Sequence, residues 1–230
     1  MLSAFLYRIL VAFFFFSPIF IFSHSSTTHG LASLASSQSS SKKNIVRNAS
    51  PLIILDAGHG GSDEGAKVRQ LQEKRIALLT TLYAKKFLEE KGYRVLLTRS
   101  KDVYISLPKR VEIANKTKGA LFVSVHFNSA KNTLAEGVEI FYYKEKDVGR
   151  MHSSKNLAAR ILHGILEETE AVSRGVKWGN FHVIRETEMP AVIVEAGFMT
   201  NYTEWSSLRK KSYLEKIAKG ISLGVDSYFK

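Results

Sequence analysis

Two histidines and two glutamates stand where this chain could do hydrolytic chemistry. His59 follows the apolar run "IILDA" within "IILDAGHGG", His126 ends "GALFVSVH", Glu195 lies inside "AVIVEAGF", and Glu73 opens a long helical period. A buried glutamate is costly to ionise unless it is paired or metal-bound, so Glu195 in its apolar run needs a reason to be there. Together His59, Glu73 and His126 would make a His₂Glu set, the type that holds zinc in hydrolases and leaves one position open for water. Such a water ionises near neutral pH, and Glu195 would accept its proton. Each residue also has a plainer reading. The glycines could mark a structural turn, the histidines could be hydrogen-bonded core residues, Glu195 could be salt-bridged, and Glu73 could serve only the helix dipole.

The elements that would position these groups follow from periodicity. Short apolar runs predict strands at 52–56, 93–97, 119–126, 137–143, 181–184 and 191–196. Helical spacing predicts helices over 73–91, 106–117, 153–168, 203–209 and 211–228, with Gly92 stopping the first and Ser106 with Pro108 opening the second. The fold class is α/β: a single domain with a mixed, mostly parallel sheet of about six strands and helices on both faces. Ligands of open α/β sheets sit outside the carboxyl ends of the strands. His59, His126 and Glu195 fall at the ends of the first, third and sixth runs, on that edge.

Composition bounds the rest. The 230-residue chain has no cysteine, which excludes disulfides, thiolate metal sites and a cysteine nucleophile. Its net charge is +12; Arg8, Lys42, Lys43 and Arg47 supply four of these in the first fifty residues, which carry no acid, leaving +8 on the remainder. A basic surface attracts an anionic partner such as a cell-wall polymer or anionic lipid. Residues 1–22 contain the apolar run "FLYRILVAFFFFSPIFIF" and read as a signal peptide or N-terminal membrane anchor. Ser33-Leu34-Ala35 offers a cleavage site, and the run is also long enough to stay in the membrane uncut. Residues 23–50, rich in Ser, Thr and Ala, read as a flexible tether, and 51–230 as the catalytic domain. Export takes the protein away from nucleic acid and towards the periplasm or cell envelope.

From Leu52 onward the chain resembles the zinc-dependent N-acetylmuramoyl-L-alanine amidases that cleave bacterial cell walls. The resemblance is carried by "IILDAGHGGSDEGA", "QEKRIAL", "GYRVLLTRSKDVYISLPKRVEIAN", "GALFVSVHFNS", "GVEIFYY" and "NFHVIRETEMPAVIVEAGFMTN", in that order. It implies Zn²⁺ held by His59, Glu73 and His126, Glu195 as catalytic glutamate, and hydrolysis of the amide joining N-acetylmuramic acid to the L-alanine of the stem peptide. Peptidoglycan, or a lipid-linked muropeptide, is then the substrate, the role is wall remodelling in division, and a monomer that touches membrane only through its N-terminal segment is expected. Asn128 and Arg185 match positions that face substrate. Asp56 reads as a support that orients a histidine. The chain departs from the family pattern at Ala57, where proline is usual, and at Ala77, where asparagine is common. Only ten residues separate His126 from the strand at 137, which leaves no room for the helix that blocks zinc in some relatives; no activator is expected to be needed.

Other readings compete. A wall-binding protein that kept the fold without catalysis would not need all four site residues. A zinc carboxypeptidase or deacetylase on a similar sheet would differ only in product. Ser106-Leu-Pro-Lys109, Ser207-Leu-Arg-Lys210 and Ser154-Lys-Asn156 match fragments of the penicillin-sensitive acyl-serine signatures.

Overall fold

The computed structural model describes residues 50–230. The expected leader or anchor at 1–22, and the tether as far as residue 49, lie outside the described residues. Among those described, no helix is long and apolar enough to cross a membrane.

The elements run β1 (Leu52–Ala57), a short β2–β3 hairpin (Lys67–Val68, Leu71–Gln72), α1 (Glu73–Glu90), β4 (Arg94–Leu97), α2 (Leu107–Thr117), β5 (Leu121–Asn128) and β6 (Val138–Tyr142), followed by α3 (Val148–Thr169), β7 (Ser173–Trp178), α4 (His182–Glu186), β8 (Ala191–Phe198), α5 (Tyr202–Leu208) and α6 (Lys211–Phe229). Six strands form one sheet in the order β4-β1-β5-β8-β6-β7. All neighbours pair parallel except β6 with β8. The central strands β1, β5 and β8 are buried on both faces, which is why they read as unbroken apolar runs.

Helices cover both faces. On one side α1, α3 and α6 bury Ile76, Leu88, Leu157, Ile161 and Ile221 against Ile53, Val123 and Val194. On the other, α2 and α4 bury Ala114, Val183 and Ile184 against Ile54, Phe122 and Ile193. α3 and α6 meet closely because Gly164 and Gly220 leave no side chain between them: a Cβ on Gly164 would lie 2.4 Å from the Gly220 carbonyl oxygen.

Two expectations are corrected. The segment 181–184 is the start of α4, not a strand. Val183 and Ile184 are both buried, so consecutive residues face the core as a helix turn allows and a half-buried strand does not. The sixth strand is instead β7, whose sequence SRGVKW carries Arg174 and Lys177 on an edge, where charge suits an unpaired flank and hides the strand from apolar patterning. α3 starts five residues before the predicted 153. It is capped by Asp147, whose carboxylate accepts from the Gly149 and Arg150 N–H groups. Ser106 is the N-cap residue of α2 by position, but its side chain makes no cap hydrogen bond, and Pro108 in the first turn carries the start signal.

Candidate active site

Three of the four chemistry-bearing residues meet at the carboxyl edge of the sheet within one cluster. His59, Glu73 and His126 each offer a ligand atom, and these atoms all lie within 4.8 Å of one another. His59 leaves β1 through a loop and holds φ 59°, a left-handed conformation that costs a non-glycine residue energy and is over-determined here by its surroundings. Glu73 is the first residue of α1, and His126 lies near the end of β5. The Glu73 Oε1 lies 2.9 Å from His126 Nδ1 and 3.1 Å from His59 Nε2, and accepts the Phe127 N–H at 3.1 Å. Its Oε2 accepts the Ala66 N–H at 2.8 Å. Burial opposes ionisation of Glu73, but the two imidazoles outweigh it and hold the carboxyl well below the usual range. Burial likewise opposes charging the histidines, yet Glu73 raises both of them.

A cation would fit this donor set. Two imidazoles and a carboxylate converge, and the neighbouring Glu195 has a buried Oε2 without a hydrogen-bond partner. The second nitrogen of His59 is already committed: Nδ1 lies 2.8 Å from Asp63 Oδ2, which fixes the ring with Nε2 inward. A carboxylate on the far nitrogen of a metal-holding histidine sets its tautomer and raises its basicity. Asp63→Ala is therefore expected to weaken metal affinity about 10- to 100-fold, read by competition with a chromophoric chelator. Sequence reasoning passed over Asp63, although it stands four residues after His59 in "GHGGSD".

Glu195 comes from β8, in register with His126 on β5 and with Glu139 on β6. Burial is the main cause that lifts its carboxyl to about 7, with Glu73 and Glu139 adding to the rise and His126 opposing it. A cavity of about 300 Å³ opens over these groups, lined by His59, Glu73, His126, Asn128, Phe181 and Glu195 among others. Gly58 makes room for the cluster. A Cβ there would stand 2.3 Å from His126 Cε1 and 2.5 Å from Nε2. Gly58→Ala should displace that ring by enough to cost about 100-fold in turnover while the protein stays folded, as elemental analysis of bound metal and circular dichroism would record together.

Asn128 is one of the residues lining the cavity, and its amide is fixed by Glu139, whose Oε1 accepts from Nδ2 at 2.7 Å. Arg174 and Lys177 of β7 hold Glu139 in turn, at 2.8 and 2.6 Å. Arg185 is not among the cavity residues. Its guanidinium donates to Glu186 and Asn180 at 2.6 Å each, while Phe181, one turn earlier, lines the cavity instead. Asp56 makes no hydrogen bond to a histidine among the described residues, so any support it gives to His59 is indirect, through Arg110. It is buried and accepts from Ser124 and Thr98, and it pairs with Arg110 at 2.6 Å. Burial opposes its charge, but Arg110 and the two hydroxyls keep it ionised. Arg110 passes the support on, because its other nitrogen donates to the His59 carbonyl at 2.6 Å. Arg99 clamps the same loop through the carbonyls of Ala57 and Gly58. The serines of the acyl-serine fragments sit on or at the start of three different helices, and the Ser154 hydroxyl is spent inside the core accepting from the Ala191 N–H.

A mostly parallel sheet with this constellation at its carboxyl edge defines an α/β hydrolytic enzyme. Residues 53–227 match the Amidase_3 family, N-acetylmuramoyl-L-alanine amidase, and the chain belongs to it. It is 35% identical to the sporulation-specific N-acetylmuramoyl-L-alanine amidase of Bacillus subtilis, over 77% of this chain and 68% of that one. Among solved structures, the catalytic domain of CwlV, an N-acetylmuramoyl-L-alanine amidase from Bacillus (Paenibacillus) polymyxa, superposes with a TM-score of 0.72 at 35% identity, covering 78% of this chain and 98% of that one. An N-acetylmuramoyl-L-alanine amidase from Clostridium difficile gives 0.74 at 34% identity, covering 79% and 97%.

Proposed function

We propose that this amidase hydrolyses the lactyl–L-alanine amide of peptidoglycan at a Zn²⁺ site formed by His59, Glu73 and His126, with Glu195 as the proton-transfer group. The observation that carries the reading is the convergence of the three donors beside a buried carboxyl whose Oε2 has no partner. When bound, zinc supplies Lewis-acid polarisation of the amide carbonyl and lowers the pKa of water. The chain's own residues do the rest. Glu195 takes the proton of the attacking water and returns one to the leaving L-alanine nitrogen, a task suited to a carboxyl near 7. Glu73, fixed by the Ala66 and Phe127 N–H groups, is held facing the two imidazoles so that all three would converge on the metal. Asn128, oriented by Glu139, presents its polar edge to the substrate in the cavity. Arg185, beside Phe181, would meet stem-peptide carboxylates only after releasing Glu186.

Residues 1–22 would export the protein or anchor it, 23–50 would tether it, and 51–230 would work as a monomer in the periplasm or cell envelope, remodelling wall during division. The test is mass spectrometry of purified peptidoglycan digested with the protein, with zinc and after chelation. Free stem peptides beginning with L-alanine, lost on chelation, are expected. Loss of terminal D-alanine with the lactyl amide intact would instead make it a carboxypeptidase.

A further inference from the structure

A second cavity, of about 450 Å³, is lined by Arg69, Gln70, Leu71, Trp205 and Arg209, none of which borders the cavity over the His–Glu–His cluster. Its walls are the β2–β3 turn and α5. Arg69 holds φ 56°, a left-handed conformation that a non-glycine residue adopts at a cost. In that conformation its guanidinium lies 4.5 Å from the Trp205 ring centroid and 5.6 Å from that of Tyr202. Arg209 also reaches the Trp205 ring, at 4.5 Å. The Tyr202 and Trp205 rings are themselves stacked, 6.0 Å apart and 24° from parallel, and Tyr202 is 69% exposed.

Arg110, Arg150, Arg174 and Arg185 are each neutralised by a carboxylate. Arg69 and Arg209, like Arg75, Arg94, Arg99 and Arg160, have no such partner among the described residues; what sets these two apart is that both lie against the one Trp205 ring at a cavity wall. A guanidinium laid against an aromatic ring keeps its in-plane N–H donors free for an oxyanion. An exposed aromatic face offers a flat apolar surface to the C–H face of a sugar. The cavity has the volume of a small-molecule site and not the breadth of a protein interface, which favours a saccharide over an acidic protein.

We propose that this cavity, together with the exposed Tyr202 ring stacked beside its Trp205 wall, is an accessory site for an anionic saccharide polymer of the envelope, its phosphate or carboxylate held by Arg69 and Arg209 and a sugar ring stacked on Tyr202. The polymer class rests on the wall-amidase reading. The β2–β3 hairpin runs directly into Glu73, and α5 follows the end of β8 that carries Glu195. A polymer bound here is therefore held beside the cleft, which raises the effective concentration of substrate without touching the reacting groups.

The test measures co-sedimentation of the full chain, in detergent, with purified insoluble wall, alongside turnover of a soluble muropeptide. Arg69→Ala with Arg209→Ala should weaken wall binding at least about tenfold and leave soluble turnover unchanged. The double Arg→Lys variant, which keeps charge and fold but loses the planar fork, should show an intermediate loss. Wall stripped of phosphodiester-linked polymers identifies phosphate as the ligand if wild-type binding falls, and carboxylate if binding persists until the wall carboxyls are amidated. Wild-type wall binding by the double alanine variant overturns the proposal, including when that variant loses only the capture of an acidic envelope protein. An equal fall in soluble turnover also overturns it, because the cavity would then belong to the catalytic cleft. A wild-type protein inactive on the soluble muropeptide would count against the amidase reading and leave the binding result to stand alone.

Discussion

Glu195→Gln is expected to lower turnover by about 10²- to 10⁴-fold while leaving bound metal unchanged, the signature of a lost proton-transfer group. The amide is close in shape to the carboxyl it replaces, and Glu195 is not one of the three converging donors, so the cluster keeps its geometry. The same substitution has a second readout. In the metal-free protein the Glu195 carboxyl sits near 7, against 4.5 for an ordinary glutamate. The folded state therefore holds this proton longer than the unfolded chain does. Stability contributed by the protonated carboxyl is whole below about pH 4.5, declines as pH rises towards 7, and is gone above it. The decline amounts to about 3 kcal/mol. Glu195→Gln cannot ionise and should remove that slope, making the metal-free variant more stable than wild type at pH 8. Urea titrations across pH would show it; parallel curves for the two proteins would mean that burial does not burden Glu195.

The second large effect concerns the support beneath His59. Arg110→Ala leaves the Asp56 carboxylate buried without its cation and frees the His59 carbonyl, so a loss of about 3–5 kcal/mol is expected. Replacing both partners, Asp56→Asn with Arg110→Met, should recover much of that stability, since the uncompensated charge is gone. It should not recover metal affinity, because the His59 carbonyl has then lost the Arg110 donor that holds it in its left-handed turn. Denaturant unfolding and metal titration on the same two variants separate the effects. Equal recovery of both would show that the turn does not depend on Arg110.

How much of this was legible in sequence depends on burial. The central strands announce themselves because both faces are covered, and their ends then name His59, His126 and Glu195 without any long-range information. β7 was not legible, because an edge strand with Arg174 and Lys177 has no apolar period to detect, and α4 is too short for four residues to separate a strand from a helix turn. The hairpin strands of two residues each fall below any pattern. At the site, residues that act through their side chains could be found by type. Those that act on backbone carbonyls could not: nothing in residue type or spacing singles out Arg99 or Arg110, and both are buried donors to loop carbonyls. Asp56 reads from sequence as a direct support of a histidine because the partners it has in the structure, Thr98, Arg110 and Ser124, lie more than forty residues away in the chain.

Glu195 and His126 stand opposite one another on adjacent parallel strands, and Glu139 completes the row on the next. The spacing between the proposed proton carrier and the proposed metal donor is thus set by the pitch of the sheet, about 4.8 Å from strand to strand, rather than by any loop. Such a rung cannot be stretched or compressed by changes at the rim. Insertions in the surrounding loops can reshape what enters the cleft while the reacting distance stays constant, whereas a slip of one residue in β8 would turn Glu195 to the opposite face and abolish the site at a stroke. The sheet is in this sense a ruler, and the variable part of the enzyme is whatever is hung from its end.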